Sequence, residues 1–191
     1  MTQRELIDFL GVIGKLKVNT RHCWTTQDRQ ESVAEHSWRL ALMPLLIAEY
    51  YPDVDINRVV KMCLIHDFGE ALTGDIPAFF KTEAHEETEE KATEKILGML
   101  SDPVREEFAA LFDEMEAMET SEAKLFKALD NLEAVVAHNE ADISSWIEME
   151  YTENLRYGEK TAAFSEYTAK LREILTKDGI EKIKREGNKE R

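Results

Sequence analysis

Ser32-Val33-Ala34-Glu35-His36-Ser37-Trp38-Arg39-Leu40-Ala41-Leu42-Met43 opens with a helix start signal. A serine three residues ahead of a glutamate makes a capping box, in which each side chain satisfies a backbone donor at the helix end. The spacing predicts a helix from Ser32 to about Tyr51, with His36 in its first turn. Pro44 falls inside it and cannot donate to the helical ladder, so a bend is expected there.

Working outward, nearly every periodic segment is helical. Leu6, Ile7, Phe9, Leu10, Ile13 and Leu16 recur at a spacing near 3.6, an amphipathic helix over Gln3 to Leu16. The polar stretch Asn19 to Glu31, which holds Arg21, His22, Trp24, Asp28 and Arg29, reads as a loop. Downstream, Asp55 caps a helix from Ile56 to about Leu72 with Val59, Val60, Cys63, Leu64 and Phe68 inward. Thr73-Gly74-Asp75-Ile76-Pro77 ends it. Glu83 to Leu100 is a helix with Ile96, Leu97 and Leu100 on one side and its carboxylates on a solvated face. Asp102-Pro103 starts a helix over Val104 to Met118. Another begins at Thr120 or Ser121 and runs to about Asn139, burying Leu125, Phe126, Leu129, Leu132 and Val136. The last spans Thr161 to Thr176. No segment reads as a strand. The expected fold is all-α, a single-domain helical bundle over residues 1–181, followed by a charged, frayed tail from Lys182 to Arg191.

A chain of 191 residues with 43% hydrophobic content can bury the core of one ordinary domain. Its 24 basic and 39 acidic side chains leave a net charge of −15, which argues against a nucleic-acid polymer as partner. Cys23 and Cys63 form no CxxC, as expected of reduced thiols in a cytoplasmic protein. The longest apolar run, Leu40 to Ala48, is broken by Pro44 and too short to span a membrane.

Three helical pieces carry the chemistry: Ala34-Glu35-His36-Ser37, Ile65-His66-Asp67 and Leu129-Asp130-Asn131. Two imidazoles and two carboxylates point to a metal site, and that donor set suits Mn, Co, Ni, Fe or Zn better than Mg. On a helix, neighbours point about 100° apart, so His66 and Asp67 reach one ion only over the edge between them. Glu70 lies on the same side, and burying these polar groups without a partner would be costly. Asp130 sits mid-helix beside an apolar stripe, where aspartate is a poor choice. Plainer readings exist: a catalytically silent His36 near a helix start, and Asp75 as a turn aspartate. Only His85 lies between His66-Asp67 and Asp130, which favours one ion over two.

The pattern H…HD…D, preceded by Ser-Val-Ala-Glu-His and followed by Leu-Thr-Gly-Asp-Ile-Pro, resembles the HD-domain metal-dependent phosphohydrolases from about Arg21 to Asn139. Within them, ESVAEHSWRLALM (31–43) and HDFGEALTGDIP (66–77) are most similar to the 5′-deoxynucleotidase branch, whose members hydrolyse 2′-deoxynucleoside 5′-monophosphates. The resemblance implies a bundle of the HD-domain type and one divalent metal ion held by His36, His66, Asp67 and Asp130. It further implies a catalytic Glu70, a small nucleotide substrate whose sugar meets Asp75, Ile76, Pro77 and Ala78, and a homodimer.

Phosphate needs a cation, and Arg21 offers a planar fork of donors, with Arg29 and Lys17 in reserve. In the family an arginine stands near a tryptophan that abuts the sugar, which makes Trp24 a candidate substrate contact; its plainer role is a core anchor. His22 and His138 are expected on the surface or in packing. The alternatives are another HD-type hydrolysis, of nucleoside triphosphates or cyclic nucleotides, a nucleotide-sensing module without turnover, and a closed structural metal site.

Overall fold

The computed structural model describes residues 1–26 and 29–187; Asp28 and the last four residues of the expected tail lie outside them. Helix α1 (Gln3–Ile13) is capped by a Thr2–Glu5 box. Strands β1 (Thr20–Trp24) and β2 (Gln30–Ser32) pair antiparallel, with Thr20 opposite Ser32, Trp24 opposite Gln30 and a register shift between. This hairpin corrects the expectation of a loop without strands, although the fold as a whole is all-α. Its strands are short and polar, so neither shows the apolar alternation by which a strand is recognised.

Helix α2 (Val33–Leu46) begins with the expected Ser32–Glu35 box and contains Pro44, but ends at Leu46 rather than near Tyr51. A 3-10 turn over Ala48–Tyr50 completes the connection. Helix α3 (Ile56–Ile65), capped by Asp55, stops one residue before His66. The expected continuous helix to Leu72 is instead a series of tight turns: Phe68 N–H donates to the Ile65 carbonyl and Glu70 N–H to that of Asp67, each at 3.0 Å. Helix α4 (Glu70–Thr73) follows and ends at Gly74, whose φ of 77° is a left-handed value that favours glycine. Gly69 allows the turn to lie against helix α5 (Glu83–Leu97); a Cβ there would stand 2.6 Å from Thr93 Oγ1 and 2.8 Å from the Glu89 carbonyl oxygen.

Helix α6 (Asp102–Ala117) carries Pro103 in its first turn, and helix α7 (Ser121–Glu140) is the central element. Helices α2, α3 and α7 pack mutually, burying Val33, Leu40, Val59, Met62, Cys63, Leu125 and Leu129 completely. Two single-turn helices, α8 (Glu150–Glu153) and α9 (Glu159–Ala162), lead to α10 (Glu166–Glu186). Helix α10 packs on α7 around Leu132, Val135, Ala162 and Leu175. It starts later and runs ten residues past the expected end at Thr176, and Lys182, where the frayed tail was expected, is buried within it. Among the described residues, no helix is long and apolar enough to cross a membrane.

Candidate metal centre

Helices α2 and α7 and the turn after α3 each deliver candidate donors to one point. His36 is brought in by the first turn of α2, His66 and Asp67 by the turn that interrupts the helix, and Asp130 by the middle of α7. His36 Nε2 lies 3.3 Å from His66 Nε2, 3.2 Å from Asp130 Oδ1 and 3.9 Å from Asp67 Oδ2. His66 Nε2 lies 3.0 Å from Asp67 Oδ1 and 3.6 Å from Asp130 Oδ1. All four residues expected as ligands therefore converge.

The opposite edges of both rings are engaged. His36 Nδ1 donates to Glu133 Oε2, and His66 Nδ1 donates to the Cys63 carbonyl at 3.0 Å. In the neutral tautomer with the proton on Nδ1, each imidazole turns an Nε2 lone pair to the same point, where a metal cation can take the place of the proton that His36 holds in the metal-free chain. The donor set of two imidazole nitrogens and two carboxylates fits a divalent metal ion.

The charges are arranged to match. Burial would push the Asp67 carboxyl up, but His66 and His36 hold it down to about 2. Burial is likewise outweighed at Asp130, where Lys127, whose Nζ lies 2.8 Å from Oδ2, and the two histidines hold the carboxyl well below the usual range. Both acids are thus ionised and available as ligands. Cys23, in contrast, is pushed up to about 12 by burial and stays a thiol, so it offers no nucleophile.

These donors line a cavity of about 1300 Å³ that also holds most of the other residues singled out in the sequence. Glu70 lines it as a buried side chain whose Oε2 has no hydrogen-bond partner. Burial first, then the carboxylates of Asp67, Asp75 and Glu89, push the Glu70 carboxyl up to about 10. Asp75, Ile76, Pro77 and Ala78 form one wall and Arg21 another. Arg21 Nη1 lies 3.2 Å from both Glu31 Oε2 and Glu133 Oε2. Trp24 is not among the lining residues, whereas its neighbours His22 and Cys23 are, as is His138. The two histidines expected on the surface or in packing thus stand at the cavity, beside the fully buried Glu150, with His22 Nε2 and His138 Nε2 at 3.3 and 3.4 Å from Glu150 Oε1. Of the reserves, Arg29 pairs with Glu35 on the exterior, and neither it nor Lys17 lines this cavity.

Sequence reasoning missed Glu133. It is completely buried one helical turn after Asp130, and it accepts from His36, Arg21 and Arg39. The signal was present: a glutamate between Leu132 and Ala134 is as misplaced in an apolar helix stripe as Asp130.

Fold and donor set together define an all-helical protein built around a divalent-metal centre. The chain belongs to the HD domain family, which its residues 13–172 match. Among curated proteins it is 36% identical over 141 residues to 5′-deoxynucleotidase HDDC2 of Danio rerio, covering 71% of this chain and 68% of the relative. It is 36% identical over 142 residues to the Homo sapiens protein of the same name, covering 72% and 68%. Among solved structures, a predicted metal-dependent phosphohydrolase from Magnetospirillum magnetotacticum superposes with a TM-score of 0.80 at 31% identity, covering 94% of this chain and 93% of that one. A conserved hypothetical protein from Pyrococcus furiosus gives a TM-score of 0.68 at 30% identity, covering 90% and 98%.

Proposed function

We propose that this chain is a hydrolase, a metal-dependent 5′-nucleotidase that cleaves deoxynucleoside 5′-monophosphates to nucleoside and phosphate. The observation that carries the reading is the convergence of His36, His66, Asp67 and Asp130 on one cavity that also receives Glu70 and Arg21. The 5′-deoxynucleotidase names of its relatives support the same reaction.

In this reading the four donors hold a single ion, Mn, Co, Ni, Fe or Zn. Such an ion, when bound, polarises a phosphoryl oxygen and lowers the pKa of a water molecule. Arg21, held at the cavity wall by Glu31 and Glu133, binds the phosphate through its guanidinium. Glu70, buried at the cavity with an unpartnered Oε2, moves the proton, either by orienting or deprotonating the water or by protonating the leaving 5′-oxygen. Asp75 accepts a hydrogen bond from the sugar, with Ile76, Pro77 and Ala78 packed beside it.

A small substrate is favoured over a nucleic-acid polymer by the acidic wall that α5 presents to the cavity, which includes Glu83, Glu86, Glu87 and Glu90. A homodimer is supported by the exposed apolar faces of α1 (Leu6, Ile7, Leu10) and α2 (Trp38, Leu42, Leu45, Leu46). Two buried free thiols suit a cytoplasmic setting. The test is a phosphate-release screen over ribo- and deoxynucleoside 5′-monophosphates with each divalent metal. Release from deoxynucleotides supports the reading; pyrophosphate release or no product from any substrate refutes it.

A further inference from the structure

We propose that Glu133 is a positioning residue that sets the tautomer and orientation of His36 and, through the same oxygen, fixes Arg21 at the cavity. Its Oε2 accepts from His36 Nδ1 and lies 3.2 Å from Arg21 Nη1, while its Oε1 accepts from Arg39 Nε at 2.6 Å. Arg39 is itself held on its far side by Glu140, also at 2.6 Å, so the Glu133 carboxylate is pinned from both ends. The side chain is completely buried, as is His36 within 1%. A carboxylate so enclosed, and braced by Arg39, joins the cavity-lining Arg21 to the imidazole that faces the other donors.

The consequence is specific. His36 can offer Nε2 to an ion only while its proton stays on Nδ1, and Glu133 is the acceptor that keeps it there. Partners of this kind are worth about 10- to 100-fold in metal affinity. The inference rests on the metal-centre reading but not on the substrate, so it can stand if the phosphatase assignment falls.

Calorimetric titration of metal-free protein with Mn and with Co tests it, comparing wild type with Glu133→Gln and with Leu132→Ala. The last removes a buried neighbour on the same helix that packs in the apolar cluster with Val135, Ala162 and Leu175. The expected result is an affinity about 10- to 100-fold weaker in Glu133→Gln, with a changed visible spectrum of the Co form, and wild-type affinity in folded Leu132→Ala. Affinity within twofold of wild type in Glu133→Gln would overturn the proposal, as would equal losses in both variants. Should Glu133→Gln fail to fold, ¹⁵N-histidine spectra of the Zn-loaded wild type decide. A proton on His36 Nδ1 is expected, and an unprotonated Nδ1 would overturn the assignment.

Discussion

His36 Nε2 lies 3.2 Å from Asp130 Oδ1, joining the first turn of α2 to the middle of α7 across the mouth of the donor cluster. Lys127 Nζ partners Oδ2 of Asp130 at 2.8 Å, which leaves Oδ1 turned to the imidazole and available as a donor. Asp130→Asn should therefore fold and lose metal affinity by about 100-fold or more, since a direct ligand is worth at least as much as its outer partner. Metal content after dialysis checks this, and retention of a full equivalent would count against Asp130 as a ligand.

Glu70→Gln keeps shape and removes the titratable proton. Its kcat should fall by about 10²- to 10⁴-fold with metal affinity unchanged. Steady-state kinetics beside calorimetry separates the two readouts, and an unaltered kcat would remove Glu70 from the chemistry.

Metal affinity should depend on pH through His36. Burial and Arg21 lower its tendency to hold a proton, but Asp130 and Glu133 outweigh them and raise it to about 9 in the metal-free chain. A ligand imidazole must be neutral, so below that value binding has to expel a proton. Apparent affinity should rise by up to about tenfold per pH unit between neutrality and pH 9, then level off. Calorimetry in buffers of different ionisation enthalpy would reveal the released proton. A flat profile would contradict this.

Much of this arrangement is legible in the sequence. The Ser32–Glu35 box, the Asp55 cap and the Gly74 stop are local signals, and each appears where the sequence places it. His66, Asp67 and Asp130 drew notice because polar groups interrupt apolar faces there, whereas the full set of four candidate donors, His36 included, is what the family resemblance implies. What escaped depends on contacts distant in sequence: β1 and β2 are defined by each other, and Glu133 has meaning only once His36 and Arg21 stand beside it. The break after Ile65 escaped because the apolar spacing carries on through Phe68 and Ala71, both buried, although Gly69 between them is a poor helix former and lies close against α5. Trp24 drew attention as an aromatic near an arginine, yet it is His22, next to Arg21, that reaches the cavity.

His138 gives the fold its own pH dependence. Burial, then His22 and Arg21, depress its folded pKa from 6.5 to about 4, so the neutral ring is the one the fold accepts. Its contribution is fully present above pH 6.5 and is lost as pH falls through about 4, on the order of 3 kcal/mol in all. In urea denaturation, His138→Gln should lose about 2 kcal/mol less than wild type between pH 7.5 and pH 5. Parallel losses in the two proteins would show that His138 is not the group responsible.

The central claim, a phosphomonoesterase dependent on one ion held by four converging side chains, is tested most directly by reconstitution. Metal-free wild type and Asp67→Ala, each given Mn or Co, are assayed for phosphate released from a deoxynucleoside 5′-monophosphate. The expected result is activity restored by about one equivalent of metal in wild type and absent in Asp67→Ala. Phosphate release by Asp67→Ala at the wild-type rate, or by wild type stripped of metal, would contradict it.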